Sequence, residues 1–228
     1  MMVVKERADQ YIEENQGSKT EHLNRYQYAC RETGKKVLDL GCGVGYGAQM
    51  LSKMGKEVVA VDVSSDAIDY AKAKYPGPSF VIASGEKLPF SDKYFDSVIA
   101  YDVIEHVEDQ DAFLDEIRRV LKKEGTLFIS TPNPRCLSNI FRHFLFGIPW
   151  PEKIAADNIF HTREHHYRAF IELLRRHNFK IHKVFGQSLS TGKKWMRHFK
   201  LLSMLLVYSG YFFPFWAITV VVKAGKME

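Results

Sequence analysis

The chain has 228 residues, 46% of them hydrophobic and 26% charged, an ordinary globular composition that can bury one substantial core. Its three cysteines are far apart and show no C-x-x-C spacing, which argues against a disulfide framework or a zinc site and favours a reducing, cytoplasmic location. The charged N-terminus lacks the apolar segment of a secretory signal. We therefore expect a single domain.

The net charge of +5 conceals two halves of opposite sign. Residues 1–110 carry 13 Lys and Arg against 18 Asp and Glu, whereas residues 111–228 carry 19 against 9. The basic half could attract an anionic substrate or an anionic membrane surface, although solvated helix faces would account for most of these charges. No nucleic-acid-binding motif is recognised, so a nucleic acid partner is not expected.

Strand and helix patterns alternate along residues 36–131, after two N-terminal helices. Two N-terminal helices are predicted over 5–16 and 19–32, separated by Gly17 and Ser18. The elements that follow are strand 36–40, helix 46–55, strand 56–62, helix 65–75 capped by Ser64, strand 80–83, strand 95–101, amphipathic helix 109–122 and strand 126–130. This alternation predicts a parallel sheet covered by helices on both faces.

The pattern changes after residue 131. An apolar, aromatic segment at 135–148 precedes a loop at 149–163. The remaining predictions are helix 164–177, strand 179–185, helix 193–211 and a last strand over 215–222.

The most informative stretch is Val37–Gly47, with the sequence VLDLGCGVGYG. It runs from an apolar strand through four alternating glycines into a helix, the junction at which open α/β sheets bind nucleotide-like ligands. The spacing differs from the dinucleotide pattern G-x-G-x-x-G, because Tyr46 occupies the place of the third glycine. Asp39 also stands where dehydrogenases carry an apolar residue. A nicotinamide-dependent reductase is therefore disfavoured.

This string resembles the glycine motif of class I S-adenosylmethionine (SAM) dependent methyltransferases. Three later segments, 83–90 (ASGEKLPF), 95–107 (FDSVIAYDVIEHV) and 131–133 (TPN), fall in register with patterns of the same family, in its type 11 and type 12 groups. The last is common among quinone-biosynthesis O-methyltransferases. The resemblance implies an α/β, Rossmann-like, doubly wound, seven-stranded sheet, mostly parallel with the last strand antiparallel, plus helical lid insertions.

The implied domain covers residues 1–228. N-terminal helices would occupy 1–34, the SAM-binding core 35–131, and a substrate-side half with lid inserts 132–228.

The resemblance also implies a set of cofactor-binding residues. Asp62, at the end of the second strand, would accept both ribose hydroxyls of SAM. Asp39 would anchor the glycine loop and approach the methionine amino group, with a purely structural carboxylate as the alternative. The full set is Arg25, Asp39, Gly41, Gly43, Gly45, Tyr46, Asp62, Val63, Ser84, Gly85, Glu86 and Tyr101.

Two of these residues carry explicit alternatives. Ser84 stands where the family usually has an aspartate that contacts the adenine amino group, so Gly85 and Glu86 would share that role. Arg25, in the segment EHLNRY, could pair with the SAM carboxylate or form a surface ion pair.

His106 is the first candidate for a general base, because histidine titrates near neutral pH. The alternative is that Glu105 and His106 cap a helix and shape the pocket wall. No metal is expected, because His165 and His166, adjacent on a helix, would point in different directions. Residues expected on the substrate side are Tyr26, Asn133, His165 and His166.

Residues 201–222 contain no charged side chain and would be long enough to span a bilayer, but Gly210 and Pro214 interrupt them. A basic, aromatic entry at 193–200 and the apolar insert 137–150 could instead form a lid over a long-chain substrate or contact a membrane peripherally. A buried lid or a dimer contact remains an alternative.

The expected function is methyl transfer from SAM, giving S-adenosylhomocysteine, to a small-molecule or lipid-like acceptor, at oxygen. The alternative is a non-catalytic SAM-binding scaffold subunit.

Overall fold

The computed structural model describes residues 16–134, 136, 144, 166–187, 214 and 217–227. Within them the chain forms five helices, seven strands and a short 3-10 turn at Ile104–His106. The helices are α1 (Gln16–Glu32), α2 (Tyr46–Lys53), α3 (Ser65–Lys74), α4 (Gln110–Val120) and α5 (Tyr167–Arg176). The strands are β1 (Lys36–Leu40), β2 (Glu57–Asp62), β3 (Ser79–Ile82), β4 (Phe95–Tyr101), β5 (Leu121–Pro132), β6 (Phe179–Gln187) and β7 (Thr219–Lys226).

All seven strands form one sheet in the order β3-β2-β1-β4-β5-β7-β6. The first five are parallel, whereas β7 lies between β5 and β6 and is antiparallel to both. The register is fixed at the centre, where Leu38 of β1 pairs with Val59 of β2 and Val98 of β4. The predicted fold class, a Rossmann-like sheet with the last strand antiparallel, is confirmed.

Helices cover both faces of the sheet and give it two apolar cores. On one face α4 and α5 bury side chains such as Phe113, Ile117 and Phe170 against the strands. On the other face α1, α2 and α3 contribute Ala29, Leu51 and Ile68. The central strands are apolar on both sides, because each side faces a helix layer. Each fully buried large side chain contributes about 1.5–3 kcal/mol.

Two helix starts follow from their sequence signals. The Ser64 hydroxyl accepts a hydrogen bond from the Ala67 amide at 3.3 Å and caps α3 as predicted. The Asp109 carboxylate accepts one from the Ala112 amide at 3.0 Å and caps α4, which was predicted to begin at that residue.

Several predicted boundaries differ from the structure, and three of them concern how elements begin or pair. Helix α1 begins at Gln16, so Gly17 and Ser18 lie inside it rather than ahead of it. Strand β5 begins at Leu121 because that residue pairs with Phe95, five residues before the predicted start. Strand β7 runs over Thr219–Lys226 instead of 215–222, because its antiparallel register pairs it with β5 throughout.

Several predictions lie outside the described residues. They are the helix predicted at 5–16 apart from its last residue, nearly all of the apolar insert 137–150, the loop 149–163, the helix 193–211 and His165. Among the helices that the structure describes, none combines the length and apolar character needed to cross a bilayer.

Helix α1 approaches the start of α2 very closely through Tyr26 and Gly47. A Cβ atom at Gly47 would lie 2.1 Å from the Tyr26 ring, so only glycine permits this packing. The Tyr26 ring also meets the Tyr46 and Tyr101 rings edge to face, with centroids 6.0 and 5.3 Å away. This contact brings α1 against the loop that follows β1.

The substitution Gly47→Ala tests that contact. Alanine is normally favoured over glycine in a helix by about 1 kcal/mol. Here we expect a loss of about 1–3 kcal/mol in the free energy of unfolding, because the methyl group would overlap the Tyr26 ring. Urea denaturation measures the change. Lys53→Ala, exposed on the same helix, is the control and should stay within about 0.5 kcal/mol. An unchanged or stabilised Gly47→Ala protein would contradict the packing.

Candidate active site

The strand order reverses direction between β1 and β4, since the chain first builds outward through β2 and β3 and then returns. Open α/β sheets bind ligands in the crevice at such a switch point, beyond the carboxyl ends of the strands. Here the ends of three strands converge: Gly41 follows β1, Asp62 ends β2 and Asp102 follows β4.

A cavity of about 410 Å³ opens at this crevice. Its polar lining is acidic, and no lysine or arginine of the described residues contributes to it. Its apolar wall includes Phe113 of α4, which lies beneath Gly85 so closely that a Cβ at Gly85 would be 2.6 Å from the ring. The predicted cofactor and catalytic residues that line it are Gly41, Asp62, Val63, Ser84, Gly85, Glu86 and His106.

The loop after β1 is held by the end of β2. The Gly41 and Cys42 amides both donate to the Val61 carbonyl, at 2.8 and 3.0 Å. Gly43, with φ +51°, then directs its amide to Asp62 Oδ2 at 2.8 Å. These bonds fix the backbone of the loop against the side chain that was predicted to bind the ribose.

Asp62 is half-buried, and each of its oxygens accepts one backbone hydrogen bond. Oδ2 receives the Gly43 amide and Oδ1 receives the Ser64 amide at 2.9 Å. A carboxylate has about four acceptor positions. The fixed carboxylate therefore keeps capacity for two further donors, such as a pair of vicinal hydroxyls.

Asp39 lies inside the sheet, 1% exposed, behind the glycine loop. The Tyr26 hydroxyl donates to its Oδ1 at 2.9 Å, and its Oδ2 has no hydrogen-bond partner within the described part of the chain. The pKa of Asp39 is raised to about 7, mainly by burial and also by the charge of Asp62, although hydrogen bonds from the Tyr26 hydroxyl and the Ala48 amide oppose the shift. A buried carboxylate oxygen without a hydrogen-bond partner, beside the glycine loop, is suited to interact with a cationic group.

Arg25 and Asp102 form a buried ion pair at the rim of the cavity. The Arg25 guanidinium is 3% exposed and donates to both Asp102 oxygens, at 2.9 and 2.7 Å, and to the Ser130 hydroxyl at 2.7 Å. Burial opposes the charge of Asp102, but Arg25 holds the pKa of that carboxyl below its usual range. Arg25 therefore already has a carboxylate partner within the protein.

Asp102 lines the cavity, and the sequence placed it at the edge of the pocket without assigning it a role. It has φ +53°, a left-handed backbone that is uncommon outside glycine, and its carboxylate lines the cavity. Its position offered a signal, because an aspartate directly after the apolar strand β4 matches the place of Asp62 at the end of β2. His22 lies beside it, with Nε2 3.3 Å from Asp102 Oδ2. Burial and the charge of Arg25 lower the His22 pKa to about 4, so this imidazole is neutral near pH 7.

The segment after β3 forms one wall of the cavity. The Ser84 hydroxyl donates to Glu86 Oε2 at 3.1 Å and accepts from the Glu86 amide at 3.2 Å. Glu86 Oε1 accepts from the Asp109 amide at 2.8 Å, which connects this wall to the start of α4. Ser84 and Glu86 thus stand together where the sequence placed an adenine contact.

His106 ends the 3-10 turn after β4, is exposed, and lines the cavity next to Val107. Its amide donates to the Val103 carbonyl at 2.9 Å, which fixes the turn. The neighbouring Glu105 is 1% exposed, so the two residues differ sharply in environment.

Three predicted site residues lie elsewhere. Tyr26 is buried beneath the glycine loop rather than on a substrate side. Tyr101 lies on the opposite face of β4 from the cavity, because alternate residues of a strand face opposite sides. It is 6% exposed, and its hydroxyl donates a hydrogen bond to the Arg25 carbonyl. Asn133 is 3% exposed, and its amide group donates to the Ala217 carbonyl at 2.9 Å, joining β5 to the start of β7.

The other predicted residues lie behind or beside the cavity. Gly45 is packed under the loop against α3, and Tyr46 is half-buried with its ring edge-on to Tyr26 and His22. His166 precedes α5 as its N-cap residue. Groups of three His, Cys, Asp or Glu side chains able to hold a metal do not occur among the residues that the structure describes.

Comparison with known proteins agrees with this geometry. Residues 38–129 match the family described as a methyltransferase domain. A Mycobacterium tuberculosis protein named for S-adenosylmethionine-dependent methyltransferase activity is 37% identical over 136 residues, covering 60% of this chain and 45% of that protein.

Two further relatives are named as O-methyltransferases. The ubiquinone biosynthesis O-methyltransferase of Pelagibacter ubique is 36% identical over 46% of this chain and 45% of its own length. The fatty-acid O-methyltransferase of Mycolicibacterium smegmatis is 32% identical over 61% of this chain and 52% of its own length. The chain thus spans about half the length of these relatives.

Solved structures share the fold. A chain of Haloferax volcanii solved with the Trm112 methyltransferase activator superposes with a TM-score of 0.71 at 19% identity, covering 100% of this chain and 98% of that one. The [4+2]-cyclase SpnF superposes with a TM-score of 0.60 at 20% identity, covering 89% and 80%. The fold alone therefore does not fix the reaction. The family match, the glycine loop and the sheet topology together indicate that residues 38–129 form the core of a class I S-adenosylmethionine-dependent methyltransferase domain.

Proposed function

We propose that this chain binds SAM in the crevice between β1, β2 and β4 and transfers its methyl group to an oxygen of a small-molecule or lipid-like acceptor. The observation that carries the proposal is the loop after β1 bonded to Asp62 at the mouth of an acidic cavity. The two O-methyltransferase relatives support oxygen as the attacking atom.

The charge of the cavity supports a cationic ligand over a dinucleotide. Its lining carries four carboxyl side chains: Asp62, Glu86, Asp102 and Glu108. SAM bears an ammonium and a sulfonium against one carboxylate, whereas a nicotinamide dinucleotide bears a pyrophosphate that this lining would repel.

Different residues along the crevice would contact different parts of SAM. Asp62 would accept the ribose hydroxyls, Ser84 and Glu86 would contact the adenine edge, and Asp39 would face the methionine ammonium directly or through water. Arg25 would act by holding Asp102 in its left-handed conformation at the rim.

When bound, SAM supplies a methyl group on a sulfonium that is already a good leaving group. The chain's main contribution is then alignment of the acceptor oxygen, which can supply several kcal/mol, up to about 7–11 in well-oriented reactions. His106, at the cavity wall, would remove the proton of a hydroxyl acceptor. An ionised carboxyl acceptor has no proton to lose and would not need it.

Calorimetry with SAM, S-adenosylhomocysteine and NAD tests the binding step, and labelled SAM with separate lipid and aqueous cell fractions tests transfer. We expect the first two ligands to bind and label to enter one fraction. Tight SAM binding with no label transferred would favour a non-catalytic scaffold subunit. Vesicle flotation with and without anionic lipid tests the peripheral membrane contact.

Asp62→Ala should weaken SAM binding by about 10–100-fold, since it removes the charged acceptor of the ribose hydroxyls and releases the glycine loop. Calorimetric titration with SAM provides the dissociation constant. Asp66→Ala, an exposed carboxylate in the first turn of α3, serves as the matched control and should bind SAM normally. Equal affinities in the two variants would rule out the ribose role of Asp62.

His106→Gln should lower turnover of a hydroxyl acceptor by about 10²–10⁴-fold, because glutamine fills similar space but cannot take a proton. S-adenosylhomocysteine release measures turnover. SAM affinity should stay within about threefold. A fatty acid such as oleate, offered as an ionised carboxyl acceptor, is the comparison substrate, and its methylation should be spared. A parallel loss of SAM binding would instead assign His106 to the pocket wall.

Binding of SAM at pH 6 should release close to one proton from Asp39. With a pKa of about 7 this carboxyl is mostly protonated at pH 6, and a nearby ammonium would lower that pKa and expel the proton. At pH 8 the group is already ionised, so the release should vanish. Calorimetry in buffers of different ionisation enthalpy measures it, and Asp39→Asn is the isosteric control. Identical heats in all buffers at pH 6 would contradict this role.

A further inference from the structure

A second cleft lies at the amino ends of the parallel strands, whereas the cofactor crevice lies at their carboxyl ends. This second cleft has a volume of about 660 Å³ and lies where β4 and β5 begin and β7 ends. Because β7 is antiparallel, its last residue, Lys226, meets the turn before β4, which contains Lys93. The basic residues that line this cleft are Lys93, Arg118, Arg119, Lys123 and Lys226.

Both carboxylates that line the cleft are already paired with a basic side chain of the protein. Asp92 pairs with Arg119 at 2.8 Å, and Asp115 pairs with His177 at 2.9 Å. Arg119 is also committed, since it bonds Glu116 and the carbonyls of residues 88 and 90. The positive charge left facing the cleft therefore comes mainly from Lys93, Arg118 and Lys226.

These cations repel one another. Burial lowers the pKa of Lys226, the charges of Arg118 and Lys93 lower it further, and Asp92 opposes the effect. The Lys226 ammonium donates to the Leu121 carbonyl at 2.9 Å and has two further N–H groups. The Arg118 Nε is buried and has no hydrogen-bond partner within the described part of the chain. An anion in the cleft would relieve the repulsion and accept hydrogen bonds from the two further N–H groups of Lys226.

We propose that this cleft binds a phosphate-bearing anion of small-molecule size. Guanidinium groups bind phosphate oxygens in a bidentate manner, and two lysines add point charges. The volume exceeds that of a bare phosphate and lies in the range of small-molecule sites. Asp92, Asp115 and the neighbouring exposed Glu124 interrupt the positive surface, which disfavours a continuous polyanion such as nucleic acid.

Inorganic pyrophosphate is the probe, titrated into the whole chain by calorimetry at about 0.15 M salt, where surface attraction is largely screened. We expect saturable binding that the double variant Arg118→Gln/Lys226→Gln weakens at least about tenfold. Lys72→Gln, an exposed lysine on α3, should bind pyrophosphate normally. SAM affinity should be unchanged in all three proteins, so failure of this site is distinguishable from failure of the cofactor crevice.

Should the double variant fold poorly, Lys93→Gln, in an exposed turn, replaces it with a smaller expected loss. Vesicles with phosphatidic acid identify the source of the phosphate: flotation that depends on Arg118 and Lys226 indicates a lipid headgroup, and pyrophosphate binding without flotation indicates a free phosphate ester. Absence of saturable pyrophosphate binding, or equal binding by the double variant, would overturn the proposal. Tighter binding of a duplex oligonucleotide with a steep salt dependence would overturn it in favour of nucleic acid.

Discussion

The candidate site depends on how the end of β2 holds the turn after β1. The chain leaves β1 and must reverse into α2 within five residues, which leaves loop amides without helical partners. Val61 and Asp62 accept three of these amides, so one strand end supplies both a backbone and a side-chain anchor. The same carboxylate faces the cavity. Loop geometry and ligand recognition are therefore coupled through a single residue, and neither can change alone.

Two acidic residues beside this junction, Asp39 and Asp102, differ in their ionisation state. Asp102 is kept ionised by its two hydrogen bonds from Arg25, whereas the partners of Asp39 are the uncharged Tyr26 hydroxyl and Ala48 amide, and Asp39 keeps its proton to near neutral pH. A buried carboxylate without a cation is destabilising when ionised. The resting protein thus has one satisfied and one unsatisfied acid behind the crevice, and the second is the one to which a bound cation would bring the larger change.

The sequence predicted strands β1 to β4 to within one residue because each is a compact apolar run, whereas the starts of β5 and β7 were misplaced by five and four residues. Strands β1 and β4 agree at both ends, and Asp62 was placed at the cavity because its strand ends there. Tyr101 and Asp102 show the limit. Tyr101 ends β4 and Asp102 follows it, and the alternation of side chains between the two faces of the sheet decides which of them lies at the cavity.

Tertiary partners decided the remaining cases. Nothing in the local sequence shows that the Tyr26 ring lies over Gly47, or that Arg25 pairs with an aspartate 77 residues away. Asn133 lies in a pattern typical of substrate-side residues, yet it joins two strands that only the antiparallel return of β7 brings together. Contacts between segments distant in the sequence carry no local signal, so they were not predicted.

The topology also places the acidic and basic halves of the chain at opposite ends of the parallel strands. The acidic first half supplies the crevice at the carboxyl ends of the parallel strands, where four carboxylates face the cavity. Most cations of the second cleft come from the basic half, and the antiparallel β7 delivers Lys226 to the amino ends of those strands. Because the two clefts lie at opposite ends of the parallel strands, a cationic ligand in one and an anionic ligand in the other would not compete for the same side chains.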